Sequence, residues 1–183
     1  DAAITTDIIL GFSGETDKDF AETMRVVAES KFSAAFTFQY SIRPHTPAGV
    51  MADQVPKPIV QERYERLVEL VDDIAWQENE AQVGRTVEVM FAEGEGRKDE
   101  ATHRVTGRAC DNRLVHVSLN PGDDVPRPGD IGEVVITSGH PHHLVADGGL
   151  VKLRRTRGGD AWQVRQESCN TPTMLGLPRV RRR

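Results

Sequence analysis

The hydrophobic period changes twice along the chain, and each change marks an element boundary. Ile4 to Phe12 is a short apolar run that ends at Gly11-Phe12-Ser13-Gly14, the pattern of a buried parallel strand entering a turn. Thr16 and Asp19 predict a capping box, after which Phe20, Met24 and Val27 recur at helical steps. Ala35 to Tyr40 predicts a second strand, stopped by Arg43-Pro44 and Thr46-Pro47. Strand, helix, strand is a βαβ unit, whose crossover makes the two strands parallel. Residues 50–58 form a proline-containing connection. Val60, Tyr64, Leu67, Val71 and Ile74 then repeat at three- and four-residue steps and predict a long helix from Ile59 to Ala81 with a core-facing stripe.

At Val83 the period becomes two. Val87, Val89 and Phe91 alternate with Thr86, Glu88 and Met90, which predicts a half-buried strand. A strand over Thr102–Arg108 places Arg104, Thr106 and Arg108 on the face opposite Val105. Asp111-Asn112 reads as a hairpin turn, Gly122 to Gly129 as a polar loop, Ile131 to Ile136 as a strand, and Leu144 to Ala146 as the strand that closes a small barrel. From Gly149 onward large apolar residues are few, which predicts a disordered tail. The expected organisation is an α/β part over residues 1–83, an all-β part over 84–151 and a basic tail over 152–183. One βαβ unit cannot close a barrel by itself, and position 1 is Asp, so the chain is expected to be a piece of a larger protein.

Charge sharpens this division. Residues 1–83 carry seven Lys/Arg against fifteen Asp/Glu, residues 84–153 eight against eleven, and residues 154–183 eight against two. A uniformly basic nucleic-acid binder is excluded, so any RNA contact rests on local patches and the tail. No apolar run reaches the length of a membrane span, and no signal peptide is present. Two cysteines, Cys110 and Cys169, make neither a disulfide framework nor a metal pattern, which fits a cytoplasmic protein.

The candidate binding face is Arg97, Lys98, Arg104, Arg108 and Arg113, with His116 nearby. Guanidiniums offer planar forks of donors suited to phosphate, and such contacts position an RNA without reading its sequence. On spacing alone a solubilised outer face is the slightly favoured reading of the same residues. His140, His142 and His143 invite a metal reading, but adjacent residues on a strand point to opposite faces, so an exposed or RNA-facing role is preferred. The turn Gly11-Phe12-Ser13-Gly14-Glu15 matches neither a Walker loop nor a dinucleotide fingerprint, and by itself reads as a structural turn.

Several segments in order carry a resemblance. ITTDIILGFSGET (Ile4 to Thr16), FTFQYSIRPHTPA (Phe36 to Ala48), QERYERLVEL (Gln61 to Leu70) and the β segment from Val83 to Val117 resemble the radical-SAM methylthiotransferases, whose C-terminal TRAM domain is a small RNA-binding β-barrel. Within the β segment the match lies in Val83-Gly84, Glu93-Gly94, Arg97-Lys98, Gly107-Arg108 and Asn112-Arg113. The resemblance implies the last strands of a radical-SAM, TIM-like barrel, a linking helix and an OB-like TRAM barrel. It implies an enzyme of the tRNA branch, which adds a methylthio group to isopentenyladenosine beside the anticodon. A relative acting on an aspartate of a ribosomal protein, and a stand-alone RNA-binding module, are the alternatives. The implied cofactors are S-adenosylmethionine, with Gly11, Gly14 and Glu15 in the pocket-forming turn, and [4Fe-4S] clusters. No catalytic residue is assigned, and the chain lacks the closely spaced cysteine trio of such clusters, so it is expected to be inactive alone. The implied partners are a tRNA anticodon stem-loop and the N-terminal part of the same enzyme. Ser13 stands where the family has proline, and His45 where it has glycine.

Overall fold

A computed structural model describes residues 3–93 and 104–170 of the chain. Its first part is β1 (Thr5–Leu10), α1 (Asp17–Ser30), β2 (Ala34–Gln39) and α2 (Lys57–Glu80). The strands β1 and β2 pair in parallel, with Thr5 opposite Ala34 and Leu10 opposite Gln39. The capping box is formed: the Thr16 hydroxyl accepts from the Asp19 amide at 3.2 Å, and the Asp19 carboxylate accepts from the Thr16 amide at 2.9 Å. The Thr16 hydroxyl also donates to the Asp19 carboxylate at 2.7 Å, and this bond first, then that of the Thr16 amide, holds the Asp19 carboxyl below its ordinary pKa.

The helix α2 starts two residues earlier than the periodicity suggests, with Pro56 before it and Pro58 in its first turn, where a missing N–H costs nothing. Its apolar stripe buries Leu67 with Leu10, Phe20 and Val27 and sets buried Val60 against Gly11, while Tyr64, Val71 and Ile74 pack at the margin. The other face of β1 and β2 is open, leaving Ile9, Phe36 and Phe38 exposed.

The second part holds β3 (Thr86–Phe91), β4 (Arg104–Ala109), β5 (Leu114–Ser118), β6 (Ile131–Val135), β7 (Ser138–His140), β8 (His143–Ala146) and β9 (Lys152–Arg154). Their order is β7-β8-β5-β4-β3-β6-β9, antiparallel except for the β5–β8 pair. The alternation seen at Val87–Phe91 holds, since Val89 and Phe91 are buried with Val115, Val117, Val134, Ile136 and Leu144. These core residues come from the strands, apart from Ile136 directly after β6, so the sheet curls around its own apolar face.

Two expectations change. Leu144 to Ala146 joins the sheet beside β5 but does not close a barrel, because among the described residues β7 and β9 remain edges. The helix α2 covers β7 instead. Gly139 lies so close to the Asn79 backbone that a Cβ there would sit 2.5 Å from its carbonyl carbon, and the Asn79 side-chain amide donates to the His140 carbonyl at 2.6 Å. The expected disordered tail is also corrected over residues 152–170: β9 pairs with β6, and a helix α3 (Arg157–Asn170) follows. Residues 171–183 lie outside the described part.

Buried Asp130 is what organises this tail. Its carboxylate accepts from the Arg127 amide at 2.9 Å, from Arg127 Nε at 3.0 Å and Nη2 at 3.2 Å, from Arg155 Nη1 at 2.9 Å and from the Thr156 amide at 3.0 Å. Burial opposes the charge, but these donors outweigh it and hold the carboxyl far below the carboxylate range. Thr156 then caps α3 by accepting from the Gly159 amide at 3.1 Å.

Candidate nucleic-acid interface

The antiparallel register of β4 and β5 sets Arg104 opposite Ser118, Thr106 opposite His116 and Arg108 opposite Leu114. Arg104, Arg108 and His116, three of the six sequence-predicted residues, are thereby brought to one outer face. Arg104 Nη2 donates to the Asp147 carboxylate at 2.8 Å, and Ser118 Oγ donates to the same oxygen at 2.7 Å. The Ser118 bond, and then Arg104, keep the Asp147 carboxyl below its ordinary value against the opposing effect of burial. Arg108 Nη1 donates to the Asn112 carbonyl at 3.1 Å, and His116 Nδ1 lies 2.9 Å from the Thr106 hydroxyl.

Arg113 belongs to the turn more than to the face. Its guanidinium meets the Asp111 carboxylate at 2.6 Å, bracing the hairpin whose Asn112 takes a left-handed backbone (φ 65°). Arg97 and Lys98 lie outside the described residues. Arg108, Arg113, His142 and His143 line one side of a cleft of about 570 Å³, with Tyr64 and Phe36 on the other. The sequence did not foretell this cleft, because its walls come from both halves of the molecule.

The histidines arrange differently from the spacing argument. His142 falls in the turn between β7 and β8, while His140 and His143 pair across the two strands and stack at 4.7 Å. The register also brings His116 to within 4.9 Å of His143, edge to face. Burial first, then the neighbouring His116, His140, His142 and Arg104, hold the His143 pKa below its ordinary value. Among the described residues no group of His, Cys, Asp or Glu is placed to hold a metal ion.

The Gly11–Glu15 turn follows β1 and precedes α1, but Glu15 faces inward. Its carboxylate accepts from the Gly11 amide at 2.9 Å and from Arg63 Nη1 at 2.6 Å; Arg63 also reaches Asp17 at 2.6 Å. Gly11 has φ 77° and presses against Val60, so no Cβ fits there; Gly14, at φ 84°, faces open space. Beside the turn lies a cavity of about 730 Å³ lined by Gly11, Tyr40, Lys57 and Gln61. The Tyr40 hydroxyl, buried without a hydrogen-bond partner among the described residues, was not singled out by the sequence. His45, where the family has glycine, adopts φ 65°, the left-handed backbone that glycine takes without strain. Cys110 is exposed. Among the described residues no helix is long and apolar enough to cross a membrane.

No protein-family model matches the chain. Curated proteins do match it. One from Cutibacterium acnes, named tRNA-2-methylthio-N(6)-dimethylallyladenosine synthase, is 87% identical over 181 residues, covering 98% of this chain and 37% of its own length. Proteins of the same name from Kineococcus radiotolerans (60% identical, 100% of this chain, 37% of their own length) and Streptomyces coelicolor (58%, 98% and 36%) match likewise. Identity at this level along nearly the whole chain places it in the tRNA-2-methylthio-N(6)-dimethylallyladenosine synthase family, whose members are matched over little more than a third of their length.

Proposed function

We propose that this chain is the RNA-gripping part of a tRNA methylthiotransferase that modifies isopentenyladenosine beside the anticodon. The observation that carries it is the 87% identity to a protein of that name along 98% of the chain. The outer face supports the RNA contact. Arg104 and Arg108 stand four residues apart on the same face of β4, beside His116, and guanidiniums so placed suit phosphate contacts that position an RNA without reading bases. The curled sheet corresponds to a TRAM module, and β1, α1 and β2 to the last strands of a radical-SAM barrel, supported by the parallel register and by the open face carrying Ile9, Phe36 and Phe38.

The donor set does not fit an iron–sulfur cluster. Clusters are held by several cysteine thiolates, and this chain has two cysteines 59 residues apart. The cysteines would come from the remainder of the parent protein. S-adenosylmethionine fits better: Gly11 and Tyr40 line one cavity, where the bound group would supply the methyl group and the radical of the parent reaction. Gly14 and Glu15 would serve by shaping the turn, Glu15 through its hold on the Gly11 amide.

The test is binding of a tRNA anticodon stem-loop RNA by the 183-residue chain across a salt series. Wild-type affinity should fall steeply with salt, and Arg104→Ala/Arg108→Ala should weaken binding and lower the salt slope by about 2. Unchanged affinity and slope in that folded double variant would rule out the face.

A further inference from the structure

Three imidazoles gather where β5, β7 and β8 meet, in an arrangement that the RNA-gripping role does not by itself require. His140 stacks on His143 with planes 22° apart, and His116 meets His143 at 78°. Stacked rings present faces to one another, whereas a shared metal would need convergent nitrogen lone pairs.

The surroundings are cationic. From β4 come Arg104 and Arg108, from the β7–β8 turn His142, and from the β4–β5 hairpin Arg113. Carboxylates among the described residues nearby include Asp147, engaged by Arg104 and Ser118, and Asp111, engaged by Arg113. From α2 come Asp72 and Tyr64, which line the shared cleft with His142 and His143. Burial first, and then the neighbouring His116 and His140, hold His143 below its ordinary pKa, so the unliganded His143 resists protonation. A dianionic or monoanionic oxygen group laid against it reverses that balance, because imidazolium N–H groups donate charge-assisted hydrogen bonds to phosphate oxygens.

We propose that the His116–His143–His140 row is a proton-coupled phosphate site: an RNA backbone phosphate binds there together with a proton taken up by the row. This rests on the RNA-gripping role proposed above. Linkage makes the coupling reciprocal, so protonation strengthens RNA binding by the factor by which RNA favours protonation. The imidazole pKa is higher in the complex than in the free protein. Affinity therefore rises as pH falls through the bound-state pKa and levels off below the free-state value.

The experiment uses the full chain and a tRNA anticodon stem-loop RNA. Calorimetric titration near pH ~7 in two buffers of different ionisation enthalpy should show a buffer-dependent heat that reports net proton uptake. Affinity should rise up to about tenfold per pH unit for each coupled proton as pH falls. His143→Gln should flatten that rise and remove the buffer dependence, and His140→Gln, at an exposed position, provides the same test with little demand on folding. Arg104→Ala should weaken binding at every pH while leaving the rise in place. RNA binding with no buffer-dependent heat, or with an equal pH slope in both histidine variants, overturns the proton-coupled site and leaves the RNA-gripping role standing. Failure of the wild-type chain to bind RNA at any pH overturns both.

Discussion

Replacing Asp130 with alanine removes one carboxylate and leaves five donors without their acceptor. The group is fully buried, so the three donors of Arg127, the Arg155 guanidinium and the Thr156 amide cannot all regain water. Removing one partner of a buried charge pair costs about 3–5 kcal/mol. Arg127 keeps Asp160 at 2.9 Å and Gln163 at 2.7 Å, which places the expected loss toward the lower end. For a chain of this size each kcal/mol lowers Tm by roughly 2–4 °C, so the melt should fall by about 6–12 °C. Asp130→Asn keeps the shape and removes the charge, and should cost about 2 kcal/mol, the scale of a hydrogen bond to a charged group. Hydrogen exchange followed by mass spectrometry should show protection lost first over residues 152–168, while α1 and α2 stay protected. The pH dependence has a definite sign. The folded-state pKa of Asp130 lies below its unfolded value, so its contribution is full above about pH 5 and is lost as pH falls below the unfolded pKa toward the folded one. Unchanged melting and unchanged exchange in Asp130→Ala would refute the idea that this carboxylate anchors α3.

The remaining expectations concern the joints of the molecule. Gly139→Val should force β7 off the end of α2 and break the Asn79 contact with His140, costing about 1–3 kcal/mol. Small-angle scattering should then show the two parts separating, and an unchanged profile with an unchanged urea midpoint would count against the joint. Arg63→Met strips Glu15 of its buried partner and should cost about 3–5 kcal/mol, read as a lower urea midpoint and faster proteolysis in the Gly11–Glu15 turn. Equal proteolysis rates would mean that the turn holds its shape without Arg63.

Periodicity and turn chemistry were enough for the local elements. The step of three and four from Val60 to Ile74 is a helix, and its residues face Leu10 and Phe20 as an apolar stripe must. Thr16 and Asp19 formed their capping box because both partners lie within one turn. Asp111-Asn112 formed its hairpin because Asn tolerates the left-handed backbone that the turn requires. The tail was misread for a physical reason. Gly158-Gly159 looks like a flexible linker, yet the missing Cβ of Gly159 is what lets the start of α3 approach Asp130, as that of Gly129 lets its own backbone approach Gly158 and Gly159. Glycine is flexible in the unfolded chain and permissive of close contact in the folded one, and sequence alone does not distinguish the two uses.

The sequence by itself determined most of the strands, the helices α1 and α2, the acidic-to-basic gradient and the relationship to a family, since these depend on neighbours within a few residues or on order along the chain. It placed Arg104 and Arg108 on one face because two-residue steps on a strand leave no other choice. Only the tertiary structure decided that Arg113 braces a turn, that Glu15 points inward to Arg63, and that His116 joins His140 and His143 in one row. For Glu15 and the histidine row the outcome depends on strand register and on burial, which bring together groups 24 or more residues apart. A buried charge goes to the partner that best offsets its desolvation, and that partner is fixed by the packed fold rather than by sequence position.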